Sequence, residues 1–156
     1  MKKLILIATL FLLVSCSSDD DNASGDITIT SVGQGSLSSS TIEQKNIVIT
    51  NKITWEALKA KMNEYNKNTT EYYFKETDID FSKFNIIAAF YKQHSNSSTS
   101  IDITKATIRS GTIFVQVENL KVGITNDVAQ PFHIVKIPKS SKNILFEKIK
   151  NPLLPE

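Results

Sequence analysis

The sequence predicts an α+β domain, a mostly antiparallel sheet of five to seven strands with one packed helix over about 53–65. Three observations carry this. Ile53 to Tyr65 places apolar residues at helical spacing. Ile86 to Phe90 is a continuous apolar run. Several other segments alternate apolar and polar residues and are divided by turn residues.

The elements follow in order. Asp26 to Val32 reads Asp-Ile-Thr-Ile-Thr-Ser-Val, whose alternation fits a strand of the sheet and equally an extended spacer. Gly33 to Ser40 reads as a loop. Ile47-Val48-Ile49 predicts a strand. In the helix, Trp55, Leu58, Met62 and Tyr65 recur at steps of three, four and three, with Asn51 or Thr54 to cap its start. Trp55 is the expected anchor of that helix on the sheet. Asn66 to Glu76 is a polar connection holding an aromatic knot, Tyr72-Tyr73-Phe74. The unbroken apolar run within Asn85 to Lys92 predicts a central strand covered on both faces. Ile101 to Thr104 and Thr112 to Glu118 alternate about a Ser110-Gly111 turn signal and predict a hairpin. Leu120 to Ala129 reads as a loop. Pro131 to Pro138 is a strand bracketed by prolines, which suits an edge or strand ends. Asn143 to Ile149 supplies a last strand.

The start of the chain has a different character. Lys2 and Lys3 precede an apolar stretch from Leu4 to Val14, too short for a spanning helix of about 20 residues and of the form of an export signal. Leu13-Val14-Ser15-Cys16 resembles the lipobox of bacterial lipoproteins. That resemblance implies a lipid thioether on Cys16 and removal of residues 1–15. Two or three acyl chains hold a protein stably where one does not, so the mature chain is expected to be membrane-tethered through Cys16. Cys16 is the single cysteine, which excludes an intramolecular disulfide. Asp19, Asp20 and Asp21 follow after Ser17 and Ser18. They read as part of a solvated linker, and they also look like the acidic surface-export tether of some Gram-negative lipoproteins. Ser17 after the cysteine favours the outer membrane. Residues 16–40 are the expected tether, 41–150 a single domain of about 110 residues, and 151–156 a tail.

The order of features in the domain resembles the PrcB C-terminal domain family. The likeness rests on Ile53-Thr54-Trp55-Glu56-Ala57-Leu58, on Ile79-Asp80-Phe81-Ser82-Lys83 leading into an apolar strand, and on the closing Gln130-Pro131-Phe132-His133-Ile134-Val135-Lys136-Ile137-Pro138-Lys139. It covers roughly 47–147. It implies a non-catalytic, lipid-anchored accessory subunit that binds or stabilises a partner protein such as a secreted protease. One departure stands out. Family members often carry a glycine-rich turn after the central strand, where this chain has His94-Ser95-Asn96-Ser97-Ser98-Thr99-Ser100.

Chemistry-bearing patterns are sparse. The full chain has 18 Lys plus Arg against 16 Asp plus Glu, and loss of Lys2 and Lys3 brings the mature chain to formal neutrality. With one arginine, Arg109, and scattered lysines, nucleic-acid binding gains no support. His94 lies among serines but without a nucleophile-elbow pattern. His133 is expected to be structural, hydrogen-bonded near a sheet edge. Asp78 and Asp80, with Glu71 and Glu76 nearby, could in principle hold calcium, but no EF-hand spacing follows and a turn role is expected. No catalytic group, metal or cofactor is assigned. The expected partner surface is Tyr72, Tyr73, Phe132 and His133, with the aromatic knot as a core satellite the competing reading. A glycan or cell-wall polymer module, using Trp55 or the knot as a stacking platform, and a protease inhibitor are the alternative functions.

Overall fold

The computed structural model describes residues 24–38, 42–64, 66–95, 99–121 and 127–149. Its elements in chain order are β1 (Gly25–Ile27), β2 (Thr30–Leu37), β3 (Lys45–Ile49), α1 (Lys52–Met62), α2 (Thr69–Tyr73), β4 (Phe84–Phe90), β5 (Ser100–Arg109), β6 (Thr112–Lys121), β7 (Gln130–Pro138) and β8 (Ile144–Ile149). The strands make two four-stranded sheets, ordered β2-β7-β4-β3 and β1-β5-β6-β8. The first lies in the middle of three layers, with the helices on one face and the second sheet on the other.

The structure is mostly β with a small helical part, and the mostly antiparallel pairing is as expected. The expectation of one sheet of five to seven strands is corrected to eight strands in two sheets among the described residues. The reason lies in β4. Ile86, Ala88 and Phe90 enter the core under the helices, while Ile87 and Ala89 enter the core between the sheets. A strand apolar on both faces needs two covers, and a single helix supplies only one. β7 has the same double character, with Phe132 and Ile134 on the helix side and Val135 and Ile137 on the other. It lies between β2 and β4, so its prolines mark strand ends and not a sheet edge. Pro131 still contributes through its carbonyl, which accepts from Tyr91 N at 3.0 Å.

Helix α1 starts where Asn51 Oδ1 accepts from Thr54 N at 2.9 Å. Its buried face is Trp55, Leu58 and Met62, and Trp55 is 1 % exposed. The Trp55 indole N–H donates to Thr77 O at 2.9 Å, which satisfies its polar edge inside the core. The β5–β6 hairpin turns at Ser110 and Gly111, both with positive φ (46° and 74°), as its two-residue loop requires. β8 joins the second sheet parallel to β6.

The expected tether ending at residue 40 is also corrected. β1 pairs with β5 in one sheet and β2 pairs with β7 in the other, so the chain crosses between sheets around Thr28 and Ile29. The stretch from Gly33 to Leu37, read as loop, is strand. Its glycines make room for aromatic rings. A Cβ on Gly33 would lie 2.5 Å from Phe74 Cδ1, and one on Gly35 would lie 2.2 Å from Tyr73 Cε1. A second helix, α2, stands where only a polar connection was expected. Every element named here lies within residues 24–149. Among the described residues no helix is long and apolar enough to cross a membrane.

Candidate functional site

Leu13, Val14, Ser15, Cys16, Asp19, Asp20 and Asp21 lie outside the described residues, as does Tyr65. The four residues of the expected partner surface separate into three environments. Tyr72 is 81 % exposed and Tyr73 half-buried. Phe132 is 0 % and His133 6 % exposed, so both are withdrawn from that surface. The physical reason is the interior place of β7, whose two faces are both covered.

The aromatic corner is built from α2 and β2. The bridge between Gly33 and Phe74 and the bond from Lys75 N to Val32 O, 2.8 Å, run the end of α2 along the outer edge of β2. Phe74 stacks on Trp55 with centroids 5.4 Å apart. The Tyr73 ring stands edge-on to Phe132 at 5.4 Å, and its hydroxyl donates to Ser36 O at 3.0 Å. Tyr72 in turn meets Tyr73 edge-on at 4.8 Å and points to solvent. A shallow groove of about 520 Å³ adjoins Tyr73, lined by Ser36, Ser38, Asp127, Val128 and Ala129.

The other polar feature of the fold was missed by the sequence reading. β1 covers β5 only at Ala106, Thr107 and Ile108. Beyond it the β5 edge needs other partners, and two side chains of the central sheet supply them. Gln34 and His133 are cross-strand neighbours on β2 and β7. Gln34 Nε2 donates to Ile101 O at 3.0 Å, and Ile103 N donates to His133 Nδ1 at 2.9 Å. His133 Nδ1 also lies 2.6 Å from Asp102 Oδ1, and Nε2 lies 3.2 Å from Ser31 Oγ. A β-bulge between Ser31 and Gly33 separates this serine from the glycine strand beside it.

Serine, histidine and aspartate therefore stand in the order of a nucleophilic triad. One contact works against that chemistry. In the tautomer whose Nδ1 accepts the Ile103 N–H, the neutral ring holds its proton on Nε2, facing Ser31 Oγ. In that tautomer the ring cannot take the serine's proton. Nδ1 faces a donor and an acceptor at once and serves one at a time: Ile103 when it carries no proton, Asp102 when it does. Burial pushes the His133 pKa below its ordinary value. Asp102 opposes the shift, and Lys75 adds to it. A polar residue at an inward position among Phe132, Ile134 and Val135 was the available signal that His133 needs buried partners. Ser31 and Asp102 gave none, because short polar residues alternating with isoleucine and valine are the normal pattern of a half-wet strand.

The remaining candidates have local explanations. His94 exchanges two backbone bonds with Ala129, both 2.9 Å, and stacks on Tyr91 at 5.6 Å. Asp80 accepts from Ser82 N and Ser82 Oγ at 3.0 and 2.5 Å, and the hydroxyl bond first, then Lys83, then the backbone bond hold its pKa below the usual value. Asp78 pairs with Lys52 at 3.6 Å. Among the described residues no group of three His, Cys, Asp or Glu is placed to hold a metal ion.

Against family models, curated proteins and solved structures the chain finds no match.

Proposed function

We propose that this chain is a non-catalytic, lipid-anchored domain of the bacterial outer membrane that binds or stabilises a partner protein, such as a secreted protease, through the aromatic corner. The lipobox-like Leu13 to Cys16 supports the anchor, and the PrcB-like sequence pattern supports the accessory role. The observation that carries the binding surface is Tyr72. It is a large aromatic ring held outward by a braced neighbour, Tyr73, whose own ring and hydroxyl are fixed by Phe132 and Ser36. Rigid, exposed aromatic rings make strong binding anchors because little conformational freedom is lost on contact. The burial of Trp55 removes one of the two stacking platforms of a glycan-binding alternative.

The test is affinity capture of the tagged full chain from gently extracted membranes, beside a Tyr72→Ala variant. A stoichiometric partner with the first and its loss with the second is the expected result. Absence of any partner, or equal recovery with Tyr72→Ala, overturns the assignment.

A hydrolase is the second reading, favoured by the Ser31–His133–Asp102 chain. A fluorophosphonate probe decides it. The Ile103 bond to Nδ1 leads us to expect no labelling of Ser31, whereas labelling abolished by both Ser31→Ala and His133→Gln would make the chain an enzyme.

A further inference from the structure

One end of the sandwich holds a second recess, remote in sequence from the aromatic corner. It has a volume of about 270 Å³ and opens where β3 begins and β8 finishes. These are edge strands of the two sheets. The floor is Phe90, Ile101 and Val117, each at most 5 % exposed. The rim carries Lys45 of β3, Lys148 of β8 and Tyr91, with both lysines exposed.

The lysines of the described surface divide into those paired with a carboxylate and those that are not, Lys67, Lys75 and Lys92 among the latter. Lys52, Lys59, Lys83, Lys105 and Lys136 are each paired with a carboxylate. Among the described residues, the side chains of Lys45 and Lys148 form no ion pair and no hydrogen bond, while their backbones take part in strand pairing. Two lysines therefore line one small recess beside an apolar floor, with Gln44 and Asn46 also in its wall. Two positive charges at the wall of one recess favour an anionic ligand there. The apolar floor gives the same ligand a reason to bury a hydrocarbon part.

We propose that this recess binds a short amphipathic carboxylate, with its acyl chain or ring against Phe90, Ile101 and Val117 and its carboxylate between Lys45 and Lys148. The volume lies just below the usual range of about 300–1,000 Å³ for small-molecule sites, which selects a short chain over a long one. This site is independent of the Tyr72 surface and of any partner there.

The experiment uses the chain from Ser17 to Glu156, which contains every element described above. Its amide NMR spectrum is titrated with sodium octanoate, and in parallel with acetate and with octanol. The expected result is saturable shifts at Phe90, Tyr91, Ile101 and Val117 with octanoate. A Lys45→Gln, Lys148→Gln double variant should bind roughly tenfold more weakly, the loss of charge-assisted contacts. Acetate and octanol, each lacking half of the recognised chemistry, should both bind more weakly than octanoate. Both lysines are exposed, so the variant keeps the fold, and unshifted amides around Trp55 verify this. No saturable shift with octanoate, equal affinity in the double variant, or acetate matching octanoate would each overturn the proposal.

Discussion

The two faces of the central sheet are held by different physics. On the helix side, Trp55, Phe74, Phe90 and Phe132 form a chain of stacked and tilted rings with centroid separations of 5.4 to 6.5 Å. No titratable side chain enters that chain, and its one indole N–H is satisfied by a backbone carbonyl. On the other side, isoleucine, valine and alanine fill the core, and its margin is closed by Gln34, His133, Asp102 and Ser31. The first face draws its strength from apolar area and the second also from directional bonds, one of which depends on pH. The contrast teaches that the same strand, β7, can be an apolar anchor on one side and a polar clasp on the other, one residue apart.

The largest test breaks the aromatic side. Trp55→Ala removes the ring that joins α1 to Phe74, and should cost about 3–5 kcal/mol in urea unfolding. Since a domain of this size is stable by only about 5–15 kcal/mol, the variant should sit near the edge of folding. A loss below about 1 kcal/mol would mean that the helix layer contributes little to holding the central sheet.

The next test sharpens the polar side. The folded-state pKa of His133 lies below its ordinary value of 6.5, so the unfolded chain takes up the proton first as pH falls. The contribution of the neutral ring is therefore complete above about pH 6.5 and is lost progressively as pH drops from there toward the folded-state value. Protonation also turns Nδ1 from Ile103 toward Asp102 and leaves the Ile103 N–H without its acceptor. The groups facing the ring are Asp102 on β5, Ser31 on β2 and Lys75 after α2. His133→Gln should flatten the fall in stability between pH 6.5 and 5. It should cost about 1–3 kcal/mol at pH 7.5 through unsatisfied buried groups. A pH profile unchanged by the substitution would show that the clasp does not sense protons.

How much of this was legible in the sequence follows the same division. The helix side was readable because it rests on periodicity. Trp55, Leu58 and Met62 fall at helical spacing, and the run from Ile86 to Phe90 requires cover on both faces. The second sheet was hidden because hydrophobic alternation shows that a strand has an inner face without saying which sheet lies opposite. Gly33 and Gly35 misled for a definite reason. Glycine signals a turn when the backbone bends, but here it clears space for Phe74 and Tyr73, rings about 40 residues away whose approach no local pattern records. The polar clasp was hidden for the same cause, since Ser31, Asp102 and His133 meet only through tertiary packing. Phe132 and His133 were placed on the surface because the prolines flanking β7 suggested an exposed strand.

The smallest effect on stability separates presentation from packing at the aromatic corner. Tyr73 and Tyr72 are adjacent, yet one is fixed in the structure and the other stands free of it. Tyr72→Ala removes a ring that is mostly in water, and should change unfolding free energy by no more than about 0.5 kcal/mol, as for an ordinary surface substitution. Tyr73→Phe keeps the ring against Phe132 and removes only the hydroxyl bond to Ser36 O, a loss of about 0.5–1.5 kcal/mol. If Tyr72 is an anchor and Tyr73 its brace, capture of a partner should collapse with Tyr72→Ala at undiminished stability, and weaken only slightly with Tyr73→Phe. The reverse order would place the recognition in the groove beside Tyr73, and Tyr72 would be an exposed ring without a role in binding.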